Sequence, residues 1–169
     1  MRISALLSVA FLCLPVAAQT FVVDLNNGPG TDFTSLQAAV DGVPDGANLE
    51  VRAGIYFENI LIDGKSLTLL GDGNVRVIPL FSSDFRIQGL AADQSVSVRG
   101  VRIDFSQAAN PTISCRDNLG LVVLDDVADG RGAVQVINCA SVIVRDSFLN
   151  ETLNPFPGGL SIMNSTVAV

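Results

Sequence analysis

Asp125, Asp126 and Asp146 stand where a chain built of short repeats would bring their carboxylates onto adjacent coils. Two carboxylates about one strand spacing apart, near 5 Å, split their pKa values: one stays ionised as nucleophile or base and the other is protonated as acid. Arg145, or Arg131, supplies a cation for such a pair, so Asp125, Asp146 and Arg145 are the candidate catalytic set. The same crowding can recruit a metal ion. Asp125, Asp126 and Asp146, with Asp129 nearby, are candidate ligands, and an all-oxygen donor set selects Ca2+. Against both stands a structural reading, since Asp, Asn and Gly all tolerate the positive φ of a sharp corner. Histidine is absent, which removes Ser-His catalysis and histidine-based metal sites.

The elements that would position these acids recur along the chain. An aliphatic pair at i and i+2, followed two residues later by a turn residue, appears as Leu67-x-Leu69-x-Gly71, Val96-x-Val98-x-Gly100, Leu121-x-Val123-x-Asp125, Val142-x-Val144-x-Asp146 and Leu160-x-Ile162-x-Asn164. Serial self-similarity of this kind marks a solenoid in which each strand lies on the previous one. Stacking the motifs predicts interior columns of Leu67, Val96, Leu121, Val142 and Leu160, and of Leu69, Val98, Val123, Val144 and Ile162. The turn column then reads Gly71, Gly100, Asp125, Asp146, Asn164. A second set, Ile113 and Cys115 over Val134 and Val136, extends the same logic to another face. Cys139 then falls on Asn118, out of column with Cys115 and beyond disulfide reach, so Cys115 reads as a buried thiol.

Before the repeats, Phe21-Val22-Val23-Asp24 is a short strand. Thr34-Ser35-Leu36-Gln37 fits a capping box, and Phe33, Leu36, Val40 and Val43 share a helical face that Pro44-Asp45-Gly46 ends. This helix is expected to cover one end of the solenoid. Residues 1–18 read as a signal peptide, with Arg2, an apolar run too short to span a bilayer, and small residues before the expected cut after Ala18. Residues 19–48 are then the N-terminal strand and capping helix, and residues 49–169 the coils. Loss of Arg2 takes the formal charge from −7 to −8. That acidity argues against nucleic acid and anionic membrane surfaces as partners.

The strings Asp32-Phe33-Thr34-Ser35-Leu36-Gln37-Ala38-Ala39-Val40-Asp41, Ala53-Gly54-Ile55-Tyr56-Phe57-Glu58 and Ser66-Leu67-Thr68-Leu69-Leu70-Gly71-Asp72-Gly73 resemble the opening of a pectinesterase. More broadly the chain resembles the right-handed parallel β-helices of the pectin lyase-like superfamily, whose G-x-Y-x-E is matched by Gly54, Tyr56 and Glu58. The resemblance covers residues 21 to 75 at motif level. It implies an all-β fold, a right-handed parallel β-helix with one N-terminal capping helix, exported and associated with carbohydrate. Tyr56, the only tyrosine, and Glu58 are the candidate substrate-binding residues. The downstream segments that carry pectinesterase catalysis, of the Q-D-T-L, D-F-I-F-G and L-G-R-P-W types, have no counterpart. The expectation is therefore a secreted, non-catalytic β-helix module, carbohydrate-associated or structural. The alternative is a truncated or degenerate pectinesterase or polysaccharide lyase. The last motif ends in an apolar strand, so either the natural protein continues or that end self-associates.

Overall fold

The computed structural model describes residues 18–80, 84–104, 112–129, 133–149 and 159–169. The signal peptide lies outside the described residues but for Ala18, and so does Arg131. In chain order the elements are β1 (Thr20–Val23), α1 (Leu36–Gly42), β2 (Ala47–Val51), β3 (Gly54–Tyr56), β4 (Leu61–Asp63), β5 (Leu67–Val77), β6 (Phe85–Gln88) and β7 (Ser95–Ile103). There follow β8 (Ile113–Arg116), β9 (Leu121–Asp125), β10 (Ala128–Asp129), β11 (Ala133–Ile137), β12 (Ser141–Arg145), β13 (Phe148–Leu149), β14 (Gly159–Met163) and β15 (Val167–Ala168). The fold is mostly β, with parallel sheets and one helix.

Ten strands form the first sheet, along the path β1-β2-β5-β7-β9-β12-β15, with β3 on β5 and β10 joining β7 to β13. The second has five, in the order β4-β6-β8-β11-β14. Strand pairing is parallel in both. From β4 onward the chain alternates between the two sheets, and strands pair in parallel with strands of the same sheet earlier in the chain.

Apolar residues at every second position face one shared core. In the first sheet Leu67, Val96, Val122 and Val142 align, followed by Val167, and beside them Leu69, Val98, Leu124 and Val144. In the second, Phe85, Ile113 and Val134 run beside Ile87, Cys115 and Val136, and in register with them on β14 Leu160 is partly buried and Ile162 exposed. Each buried aliphatic side chain contributes about 1.5–3 kcal/mol relative to exposure.

This register agrees with the expected stacking of Ile113 and Cys115 on Val134 and Val136, and corrects three others. The interior residues of β9 are Val122 and Leu124, not Leu121 and Val123, which face outward and are only half-buried. Leu160 and Ile162 belong to the second sheet, over Val134 and Val136. The corner after the first sheet is Gly100, Asp126 and Asp146, at φ of 66°, 51° and 48°, so Asp126 takes the place expected for Asp125. Asn164 belongs instead to the second sheet's corner, with Gly64, Gly89, Asp117 and Asn138, all at positive φ.

The helix buries Leu36, Ala39 and Val40, and it lies against β1 and β4, the first strands of the two sheets. Its N-cap is Ser35 rather than Thr34, with the Ser35 hydroxyl accepting from Ala38 N–H at 3.2 Å. Gln37, expected to close a capping box, instead pairs with the Leu61 backbone, accepting its N–H at 2.8 Å. Lys65, the only lysine, donates to the carbonyls of Val40, Asp41 and Val43 at the helix C-terminus, where a cation is favoured.

Candidate functional site

The acids at the first corner divide into two kinds. Asp125 sits at the end of β9 between Arg99 on β7 and Arg145 on β12, its register neighbours. Only 6% exposed, it accepts from Arg145 Nη2 at 2.8 Å and lies 3.7 Å from Arg99 Nε. Asp126 and Asp146 occupy the corner itself, exposed, in neighbouring register. The structure therefore stacks Asp126 on Asp146 and pairs Asp125 with Arg145. Asp125 and Asp146 do not form one column, because the strand extends one residue further before turning. Among the described residues no group of three or more His, Cys, Asp and Glu side chains comes together to hold a metal ion.

Other buried carboxylates follow the Asp125 pattern. Asp104 accepts from Arg76 Nε at 2.6 Å and Arg102 Nε at 2.7 Å. Asp24 takes the backbone N–H of Asn26 and of Gly28 and the Arg52 Nη1 at 2.9 Å. The Asn26 N–H first and Arg52 second hold the Asp24 carboxyl below the ordinary range. Arg52 Nη2 also donates to Pro29 O at 2.8 Å, so one guanidinium closes the loop.

Tyr56 and Glu58 have structural roles here. The Tyr56 ring is fully buried and its hydroxyl donates to Arg52 O at 2.9 Å, so no ligand can reach it. Burial raises its pKa. Glu58 accepts from Ser35 Oγ at 2.8 Å, Leu36 N–H at 3.2 Å and Gln37 N–H at 2.9 Å, which places its carboxylate on the free donors of the helix N-terminus. The Gly54-x-Tyr56-x-Glu58 motif thus serves the fold. Cys115 and Cys139 are both buried free thiols. Burial pushes the Cys115 thiol far above its ordinary value, and Asn118 Nδ2 lies 3.6 Å from Cys139 Sγ, as the stacking predicts.

A polar cluster on the second sheet has no counterpart among the sequence motifs. Phe85, Ile113 and Cys115 point into the core, so by strand alternation Asp84 and Arg86 share the outer face with Thr112, Ser114 and Arg116. The Arg86 Nη2 donates to Asp84 Oδ1 at 3.0 Å, Ser114 Oγ donates to Asp84 Oδ2, and Arg116 Nη2 donates to Gln135 Oε1. Asp84, Thr112 and Ser114 are buried although they face outward. The signal that could have found them is the alternation of polar with core residues in strands far apart in sequence. A separate open cleft of about 460 Å³ near the second corner is lined by neutral groups, among them Leu119, Cys139, Ala140 and Asn164.

Among the described residues no helix is long and apolar enough to cross a membrane. Compared with known proteins, the chain matches no protein-family model, no curated protein and no solved structure.

Proposed function

We propose that this chain is a right-handed parallel β-helix acting as a secreted, non-catalytic module, carbohydrate-associated or structural. The fold reading is supported by two parallel sheets whose strands succeed one another in chain order, with a helix beside the first strand of each. The observation that carries the non-catalytic reading is the state of the buried carboxylates. Asp24, Asp84, Asp104 and Asp125 are each ion-paired with arginine, so among the described residues these buried carboxylates are engaged in holding strands and loops together rather than turned toward a substrate.

The test is turnover measured beside binding. Methanol release from methyl-esterified pectin and unsaturated product from uronate polymers should both be absent, while a glycan panel should give saturable binding. Turnover of either substrate would overturn the reading in favour of a truncated or degenerate pectinesterase or lyase.

Self-association belongs to the same proposal, because Ile162 and Met163 on β14 are about half exposed at 46% and 54%. A strictly monomeric species at high concentration in sedimentation would remove it. A calcium role is confined to the Asp126 and Asp146 corner, and chelation that leaves the melting temperature unchanged would remove that.

A further inference from the structure

The loop between β1 and α1 carries Asn27-Gly28, the only Asn-Gly step in the chain; every other asparagine is followed by a residue with a side chain. The fold asks for both residue types there. Asn27 sits at a φ of 52°, in the left-handed region that asparagine tolerates and most residues avoid. A Cβ on residue 28 would lie 2.7 Å from Asp24 Oδ2 and 3.1 Å from Arg52 Nη1, so glycine is the residue that fits beside this ion pair. Three donors hold that carboxylate in place, the Asn26 and Gly28 N–H groups and Arg52. Asparagine is a thermolabile residue, and most so before glycine, where no side chain hinders attack by the following backbone nitrogen.

We propose that Asn27 is a site of spontaneous deamidation, and that the Asp24 carboxylate sets its rate by holding the Gly28 N–H. In the reaction the Gly28 nitrogen gives its proton to hydroxide and bonds to Asn27 Cγ. The bond from Cγ to the side-chain nitrogen breaks, and that nitrogen takes a proton from water and leaves as ammonia. Water then opens the cyclic imide at either carbonyl, leaving aspartate or an iso-aspartyl linkage at position 27. Asn27 is exposed, so water reaches it. The Gly28 N–H, however, donates to Asp24 Oδ2 at 3.1 Å, and a charged acceptor both favours the bound proton and repels the amide anion that must form. Asp24 does not take the proton itself, because its carboxyl lies below the ordinary range and is a weak base. The carboxylate that shapes the loop thus also restrains its chemistry. An iso-aspartyl linkage puts an extra main-chain carbon ahead of Gly28 and draws its N–H away from Asp24, in the loop that Arg52 closes.

Peptide mass mapping of the full mature chain, aged at mildly alkaline pH, tests the proposal. The peptide from Gln19 to Arg52 should gain the mass difference between an amide and an acid, and fragmentation should place the change at Asn27 ahead of Asn26 and Asn48. Asn27→Gly keeps the positive φ and should show no gain. Asp24→Asn leaves the Gly28 N–H an acceptor without charge and should speed conversion about tenfold, the difference between a charged and a neutral hydrogen-bond acceptor. Wild type gives a second reading that does not depend on how this variant folds, since the guanidinium-unfolded chain should convert at least about tenfold faster than the native one. If Asn27 survives in native wild type and in Asp24→Asn while it converts in the unfolded chain, it is not a site of the folded protein. Conversion at Asn26 or Asn48 ahead of Asn27 would also overturn the assignment. Equal rates in native wild type and either Asp24→Asn or the unfolded chain would overturn the restraint by Asp24.

Discussion

Glu58 shows how a residue type that looks chemical can be architectural. Its carboxylate reaches back across more than twenty residues to the start of α1, where three donors converge on it. A helix of seven residues is too short to be stable alone, so its first turn depends on tertiary caps of this kind. Glu58→Ala should therefore cost about 1–2 kcal/mol, read as a lower urea midpoint at unchanged slope. A substrate-contacting role would leave the midpoint where it is. Asp24 makes a prediction in pH. Its folded pKa lies below the ordinary 3.8, so the stability it lends is complete above that value and is lost as pH falls through the lowered one. Melting temperature measured from pH 5 down to pH 2 should fall less steeply in Asp24→Asn than in wild type. Equal slopes would mean that the Asn26 N–H and Arg52 do not favour the ionised carboxylate in solution.

The strands were legible in the sequence as strands, and their stacking only in part. Ile113, Cys115, Val134 and Val136 are bounded by polar or turn residues, so one register alone buries them, and it is the one observed. Leu121-Val122-Val123-Leu124 offers aliphatics to both faces, and the alternation cannot choose between them. What chooses is the corner: Asp126 must align with Gly100 and Asp146 at positive φ, which places Val122 and Leu124 inside. The second-sheet cluster was not legible for a different reason. Its members lie on separate strands, and no local spacing joins Asp84 to Ser114. Gly120 fixes the same register from the other end of β9. A Cβ there would lie 2.2 Å from Gln94 O and 2.5 Å from Ala91 O, both backbone atoms that cannot give way. Gly120→Ala should cost about 3 kcal/mol or more, whereas Gly73→Ala, at φ +89° with open space around it, should cost only about 1–2 kcal/mol. Thermal melts of the two variants separate close packing from backbone strain, and equal losses would contradict the tight approach at Gly120.

Over the whole molecule, stability should vary with position along the stack, since each strand is held by its neighbours in the same sheet. In the second sheet β8 is hydrogen-bonded to β6 and β11, while β14 has β11 alone among the described residues. The two thiols sample this gradient. Cys115 lies on β8 with Ile87 and Val136 on either side of it, so exposing it requires both pairings to open. Cys139 follows β11, and its backbone N–H is held at 2.8 Å by Ser165 Oγ from the residues just after β14. Fraying of β14 releases that contact without disturbing β8. Local openings of this kind cost less than global unfolding, and a thiol reagent in slow excess reports their population. Cys139 should therefore label at low urea concentration, while Cys115 should label with the global transition. In the Cys139→Ser background, where Cys115 alone of the pair is read, labelling should follow the global transition. Simultaneous labelling of both at the global midpoint would show instead that the two sheets unfold as one cooperative unit, with β14 as firmly held as the strands between two neighbours.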